Sequence, residues 1–420
     1  MPHTSTSTPV DALASPLELP RGQVLRNRIM RSALSEGLSD RSHGPSPRLT
    51  RLYERWSAGG YGLIVTGNVM VDRRYLGEPG NVVVEDDRHL AELAQWSAAA
   101  RPGGAAVWAQ INHPGRQGNA LAGRTRPVAP SEVAANIPGA VRPRALEDAE
   151  IWDLVDRYAT AAAVMERAGF DGVQLHGAHG YLITQFLSPL VNRRTDDWGG
   201  TAERRRRFLL EILRAIRFQV GEDFSVGINL NSADFQRGGF DEEESREVVR
   251  MLVAEGIDLI EVSGGTYESP AMMGTVRPST REREAYFLEY ARTVQEITGS
   301  VPVAVTGGFR SAEAMGAALA RRRTAGPARW PRAAGAGRGP PHAGRRAGPA
   351  VAHRPDAPDG RGQGPRSRPR LVAHGGHDRA PQRHRRVPAP PRVADPATGG
   401  RATGGRARPA RRGPDGSASP

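Results

Sequence analysis

Two patterns of hydrophobic residues alternate along the chain from residue 27 to residue 320. Short, nearly continuous apolar runs predict strands that are buried on both faces, and segments with apolar residues at helical spacing follow them. The predicted strands cover residues 27–33, 62–69, 105–111, 173–176, 225–230, 258–263 and 301–306. The predicted helices cover residues 47–58, 87–100, 147–168, 202–219, 242–255, 281–297 and 311–320. Seven strand–helix units predict an α/β fold, the (β/α)8 TIM barrel.

The eighth strand–helix unit of such a barrel is missing from the pattern. After residue 320 the sequence consists mainly of Arg, Ala, Gly and Pro, and contains no Ile, Phe, Tyr, Met, Asn or Glu. Such a segment buries too little apolar surface to offset the entropy of ordering, so residues 321–420 are predicted to be a disordered tail. The abrupt change inside a repeat is typical of a reading-frame shift in a GC-rich gene. We therefore predict a disordered lead-in over residues 1–20, an incomplete barrel over 21–320, and the tail.

The charge of the chain is concentrated in this tail. The net charge is +13, and all 58 basic residues are arginines. Residues 321–420 hold 23 arginines against five aspartates, a net charge of +18, which leaves −5 for residues 1–320. The predicted barrel is therefore mildly acidic, and nucleic acid is expected to bind only non-specifically, through the tail. A natural arginine-rich arm for nucleic acid is the alternative to a frame shift.

Several classes of protein are excluded or disfavoured by composition. The chain has no cysteine, which excludes disulfides, thiolate metal sites and iron–sulfur clusters. No apolar run approaches the roughly twenty residues of a membrane span, and residues 1–10 lack the apolar core of a signal peptide. We expect a cytoplasmic protein without a membrane partner or a metal site.

The strongest chemical signal lies in residues 169–207, where the predicted strand 173–176 ends in His-Gly-Ala-His-Gly-Tyr. Residues just past the carboxyl end of a barrel strand face the mouth of the barrel. There, His176, His179 and Tyr181 would be able to hold a carbonyl oxygen and protonate the carbon beside it. A helix-capping histidine, a zinc pair and a packed tyrosine are the alternatives. No third zinc ligand follows at an obvious spacing, and the glycines favour a loop.

The run HGAHGYLITQFLSPLVNRRTDDWGG, with an arginine-rich helix after it, resembles the signature of the Old Yellow Enzyme family of FMN-dependent ene-reductases. Other segments fit that family in the same order, so the resemblance covers about residues 17–320. It implies a ping-pong reaction in which NAD(P)H reduces FMN and the flavin then reduces the C=C bond of an enone or a related electron-poor alkene. In this family pattern His176 and His179 bind the substrate oxygen, and Tyr181 is the catalytic proton donor.

The resemblance also implies a flavin site at the strand ends and a substrate side above it. The residues implied in cofactor binding are Ser32, Ala33, Leu34, Ser35, Gly67, Gln110, His176, Asn229, Gly307, Gly308 and Phe309. Asn112 and Tyr267 are implied in substrate binding. The amide of Gln110 offers a donor and an acceptor, which suits the pyrimidine edge of a flavin. Relatives usually carry Arg or Lys where Asn229 stands, so we expect a lower flavin potential and slower reduction by NAD(P)H.

The binding of the FMN phosphate is expected to be weak. Gly307, Gly308 and Phe309 resemble the first half of the family's phosphate cradle, in which backbone N–H groups at a helix start hold the anion. The second half normally follows strand eight, so we expect the chain to fold poorly and to bind FMN weakly or not at all. The alternatives are an inactive frame-shifted product, a non-catalytic nucleic-acid binder, or a barrel enzyme that reduces dihydroorotate-like or dienoyl substrates. The choice between NADH and NADPH stays open, as does a homo-oligomeric state.

Overall fold

Parallel strands close into a ring in the computed structural model of this protein, which describes residues 8–264, 280–306, 309, 311–320 and 334–335. Within these residues eight strands pair in sequence, and the last pairs with the first. They are β1 (Ile29–Arg31), β2 (Leu63–Val65), β3 (Ala106–Asn112), β4 (Gly172–Gly177), β5 (Ser225–Asn231), β6 (Leu259–Ser263), β7 (Val303–Thr306) and β8 (Ala334–Gly335). The predicted TIM barrel is confirmed.

Helices follow the first seven strands, as the apolar spacing predicts. They are α1 (Pro47–Ser57), α2 (Leu90–Ala99), α3 (Asp148–Arg167), α4 (Ala202–Gln219), α5 (Glu242–Ala254), α6 (Thr280–Thr298) and α7 (Ala312–Ala320). The side chains of Ser46, Thr201 and Asp241 cap α1, α4 and α5 by accepting hydrogen bonds from backbone N–H groups of the first turn. No helix in the described part of the chain is long and apolar enough to cross a membrane.

A short hairpin closes the amino end of the barrel. Its strands, Leu17–Glu18 and Val24–Leu25, pair antiparallel and place Leu17 and Leu25 in the same apolar cluster as the inward-facing Trp108. The indole N–H of Trp108 donates to the side-chain oxygen of Gln23 at 3.0 Å. Because this end of the barrel is filled with apolar residues, the carboxyl ends of the strands remain for a functional site.

The prediction of a disordered lead-in over residues 1–20 is wrong for residues 8–20. Helix Pro9–Ala14 begins with a capping box between Thr8 and Asp11, and Leu13 packs against Met315 of α7. This helix is too short to show a helical period in the sequence. The helix is stabilised by packing against α7, which lies about 300 residues away in the sequence. The local apolar pattern alone could therefore not reveal this helix.

At the place of the missing eighth unit, the described residues after residue 320 are Ala334 and Gly335, which form the short strand β8. It pairs with β7 through Ala334 and Gly335, and with β1 through the same two residues. Backbone groups on the open edges of β1 and β7 can pair with any extended segment, whatever its side chains, which explains how Ala-Gly serves here. The boundary at residue 320 stays a prediction.

The loops at the carboxyl ends of the strands carry small elements of their own. Short strands Val69–Met70 and Val82–Val83 pair with each other, and Val69–Met70 also pairs with the end of β3. The predicted strand 62–69 is therefore split, because β2 ends at Val65. The long excursion over residues 112–144 contains Gly115–Gln117 and Ala120–Gly123 as single helical turns, and Val128–Ala129 as a strand.

Candidate active site

Three aromatic side chains gather where β4 ends, as the sequence predicts. The ring of His176 lies 5.2 Å from the ring of His179 and 4.6 Å from the ring of Tyr181, centroid to centroid. His179 adopts φ +60°, which turns the chain sharply, and Tyr181 starts helix Leu182–Leu187. His179 is held in place by Ser263 of β6, whose hydroxyl lies 2.7 Å from Nε2, and by Asn231 of β5, which accepts its backbone N–H.

Both imidazoles are neutral at neutral pH because they are buried. Burial, with a smaller contribution from the neighbouring His179, holds the pKa of His176 well below 6.5. Burial also lowers the pKa of His179 to about 4. Nδ1 of His176 accepts the backbone N–H of Ala178 at 3.4 Å, so the proton of the neutral ring lies on Nε2. His176 is therefore a hydrogen-bond donor through Nε2 rather than a cation.

These side chains line a cavity of about 380 Å³, a volume within the usual range of small-molecule sites. The lining residues are Ala33, Leu34, Ser35, Asn68, Gly77, Glu78, Asn81, Gln110, His176, His179, Tyr181 and Asn229. Eight of them are among the residues that the sequence predicts for the site. The structure thus brings together the ends of β1, β3, β4 and β5 around one space.

Gln110 and Asn229 present amides to this cavity from β3 and β5. Gln110 is 2% exposed, and its Nε2 donates to Gln174 Oε1 at 2.8 Å. Asn229 lies beside His176 in the register of β4 and β5. Its buried Oδ1 has no hydrogen-bond partner within the described residues. An unpaired buried acceptor costs free energy, so this oxygen suits a ligand that carries an N–H group.

Gly67 and Ser32 lie next to the cavity but do not line it. A Cβ atom on Gly67 would lie 2.2 Å from the carbonyl oxygen of Leu34 and 2.3 Å from the carboxylate of Glu36. Contacts within the protein, and not the approach of a cofactor, therefore require glycine at this position. The hydroxyl of Ser32 lies 2.5 Å from that of Thr306.

The other predicted site residues lie farther away or outside the described residues. Asn112 is fully buried and does not line the cavity; it donates to Asn68, which does. The side chain of Phe309 is partly buried and packs with Leu13 and Met315. Tyr267, Gly307 and Gly308 lie outside the described residues.

Sequence reasoning missed three polar residues on the loop after β2. Asn68, Glu78 and Asn81 line the cavity, and the backbone N–H of Glu78 donates to the side chain of Asn81 at 2.9 Å. Burial raises the pKa of Glu78. Since loops after barrel strands build active sites, the polar run from Gly77 to Asn81 was the available signal. Glu78 carries the only carboxyl group among the described lining residues, which include no arginine.

Comparison with known proteins identifies the family. A family model described as the NADH:flavin oxidoreductase / NADH oxidase family matches residues 12–325. This chain belongs to that family. It is an oxidoreductase of the flavin-dependent, Old Yellow Enzyme-like type, as the motif at β4 predicts.

Individual members of this family resemble the chain over the barrel. The NADH-dependent flavin oxidoreductase iliE of Hypocrea jecorina (strain QM6a) is 38% identical over 324 residues, which are 71% of this chain and 80% of that protein. The structure of 2-naphthoyl-CoA reductase with 2-naphthoyl-CoA matches with a TM-score of 0.69 and 28% identity. That match covers 75% of this chain but only 49% of the reductase. An Old Yellow Enzyme homologue from Zymomonas mobilis matches with a TM-score of 0.62 and 24% identity over 74% of this chain and 86% of that one, which shows the shared fold.

Proposed function

We propose that this flavin oxidoreductase uses FMN and NAD(P)H to reduce the C=C bond of α,β-unsaturated carbonyls or related electron-poor alkenes. The observation that carries the proposal is the cluster of His176, His179 and Tyr181 at one wall of a cavity that Gln110 and Asn229 also line. Two hydrogen-bonding imidazoles and one phenol are the groups needed to polarise a carbonyl and protonate the carbon beside it.

The residues around the cavity fit a flavin. Gln110 and Asn229 would meet the polar pyrimidine edge, where Gln110 would accept from the single imide N–H and Asn229 would donate to a ring oxygen or nitrogen. Ala33 and Leu34 offer backbone and apolar surface at the end of β1. When bound, FMN would accept a hydride from NAD(P)H and deliver it to the alkene in a second half-reaction.

The protein's own part in this reaction is to bind, polarise and protonate. His176 would donate its Nε2–H to the substrate oxygen, with His179 beside it. Because burial keeps both rings neutral, they would polarise the oxygen by hydrogen bonding without releasing a proton to it. The proton for the α-carbon would come from the hydroxyl of Tyr181, whose ring is in contact with His176.

The charge of the cavity points to slow reduction by NAD(P)H. The described lining residues include no arginine, and they include the carboxyl group of Glu78. Asn229 can donate a hydrogen bond but brings no positive charge. Negative charge that collects on a reduced flavin would therefore be stabilised less than beside a cation, which lowers the potential. Weak retention of the FMN phosphate is part of the same proposal.

The test combines flavin content with half-reaction kinetics. The purified protein is supplied with FMN, reduced anaerobically with NADH or NADPH, and then mixed with 2-cyclohexen-1-one. We expect flavin bleaching in the first step and reoxidation by the enone in the second. A protein that binds FMN but whose reduced form does not react with any enone, nitroalkene, dienoyl thioester or orotate-like substrate would contradict the proposal. A preference for one of the last two would favour the other barrel reductases.

A further inference from the structure

A chain of hydrogen bonds runs through the inside of the barrel from Gln110 to Ser32. Gln110 Nε2 donates to Gln174 Oε1 at 2.8 Å, and Gln174 Nε2 donates to Glu261 Oε2 at 2.7 Å. The other oxygen of Glu261 lies 2.5 Å from the hydroxyl of Thr306, which lies 2.5 Å from the hydroxyl of Ser32. The chain thus connects β3, β4, β6 and β7 with the end of β1, and one end of it lines the cavity.

Glu261 is the only carboxyl group in this series of hydrogen bonds, and it is 1% exposed. Within the described residues no arginine or histidine forms an ion pair with it; its partners are Gln174, Thr306 and Ser32. Burial raises the pKa of Glu261. An isolated buried charge is costly, so a neutral carboxyl with paired oxygens is the form that this environment favours.

The carboxyl oxygen imposes a direction on both amides. Oε2 of Glu261 accepts from Gln174 whether the carboxyl is ionised or carries its proton on Oε1, on the side of Thr306, so the amide of Gln174 points its nitrogen towards Glu261 and its oxygen towards Gln110. Gln110 then points its nitrogen towards Gln174, which leaves its carbonyl oxygen for the cavity. The terminal torsion of glutamine is broad and roughly two-fold, so nothing in the side chain itself would fix this choice.

We propose that Glu261 is a positioning residue that fixes the amide of Gln110 through Gln174, so that the cavity is offered a carbonyl oxygen and selects a ligand with an N–H group there. Identifying that ligand as FMN, through the imide N–H of its ring, rests on the proposed function. The orientation of Gln110 does not rest on it. Glu261→Gln keeps an acceptor for Gln174, and Glu261→Leu removes it.

The first experiment needs no ligand. The protein is labelled with ¹⁵N at glutamine side chains, and the Gln110 amide signal is assigned by its loss in Gln110→Ala. We expect amide protons of Gln110 that are protected from exchange in the wild type and in Glu261→Gln, and unprotected in Glu261→Leu. Equal protection in all three proteins, or equal loss in both variants, would overturn the inference. Should Glu261→Leu not fold, Gln174→Met breaks the same chain.

The second experiment titrates FMN into the flavin-free proteins and follows the quenching of its fluorescence. Glu261→Leu should weaken binding roughly two- to tenfold, as expected for one hydrogen bond, and Glu261→Gln should restore it. In a Gln110→Ala background Glu261→Leu should have no further effect, because Glu261 acts through Gln110. An undiminished effect in that background would contradict positioning.

A control for lost stability is Asp258→Asn, which removes a buried carboxylate next to the amino end of the same strand. Asp258 binds Arg217 and the backbone N–H of Val226, and takes no part in the chain to Gln110. This variant should unfold more easily and bind FMN as the wild type does. A wild-type protein that takes up no FMN at all would refute the proposed function, and the amide-exchange experiment would still decide the role of Glu261.

Discussion

His113 should make the stability of the protein depend on pH, and replacing it with asparagine should remove that dependence. His113 directly follows β3, is completely buried, and packs with its ring centroid 4.9 Å from that of Tyr75. Its Nδ1 accepts the backbone N–H of Gly115 at 3.1 Å. In His113→Asn the side-chain oxygen can take over this acceptor role, but the new side chain does not titrate.

The magnitude follows from the pKa of His113, which burial lowers from 6.5 to about 4. The positive charges of Arg74 and Arg157 act in the same direction, and the negative charge of Asp72 opposes them. Since the folded pKa is below the unfolded one, the unfolded state binds more protons between these two values. The contribution of neutral His113 to the free energy of unfolding is therefore fully present above pH 6.5 and is lost as the pH falls towards 4. Between pH 7 and pH 5 the loss amounts to about 2 kcal/mol.

Urea unfolding of the wild type and of His113→Asn at pH 7 and pH 5 measures this effect. Other titrating groups change the stability of both proteins equally, so they cancel in the difference. At pH 7 the variant should be less stable because it loses the packing of the imidazole ring. The free energy of unfolding of the wild type minus that of the variant should be about 2 kcal/mol lower at pH 5 than at pH 7. A difference that stays constant, with equal urea dependence in both proteins, would show that His113 has an ordinary pKa and would refute the reasoning.

Three further substitutions test the site. Tyr181→Phe should slow flavin reoxidation by an enone about 10²- to 10⁴-fold and leave reduction by NADH unchanged. Stopped-flow absorbance separates the two steps. An unchanged reoxidation rate would exclude Tyr181 as proton donor. Asn229→Arg should raise the potential of bound FMN and speed its reduction by NADH, and a spectroelectrochemical titration that shows no rise would contradict the charge argument. Gly67→Ala should destabilise the fold by about 1–3 kcal/mol in urea, because the new Cβ meets the Leu34 carbonyl at 2.2 Å and the Glu36 carboxylate at 2.3 Å; wild-type stability would show that this turn can relax.

The barrel could be predicted from the sequence because its strands are buried on both faces. The predicted strand 173–176 differs from β4 only at its ends, and the predicted helix 202–219 coincides with α4. The cluster around His176 was also predictable, because its three members lie within six residues. The polar run from Gly77 to Asn81 marks a loop after β2, but it does not show that Glu78 and Asn81 reach the cavity, because the path of that loop is set by the pairing of Val69–Met70 with β3 and Val82–Val83. Two-residue strands leave no periodic signal.

Polar residues inside the barrel show most clearly what a linear pattern cannot contain. Gln174 and Glu261 each interrupt an apolar run, and alternation alone says only that they share a face with His176 and Ser263. They meet because β4, β5 and β6 pair in a fixed register, with Asn229 opposite both His176 and Glu261. A buried polar layer is tolerated when all its members are paired, and it then specifies one arrangement. The hydrogen-bonded series has five side chains, those of Gln110, Gln174, Glu261, Thr306 and Ser32, and none of them has an unpaired buried atom. The orientation of the Gln110 amide at the cavity and the stability of the barrel beneath it therefore depend on the same hydrogen bonds.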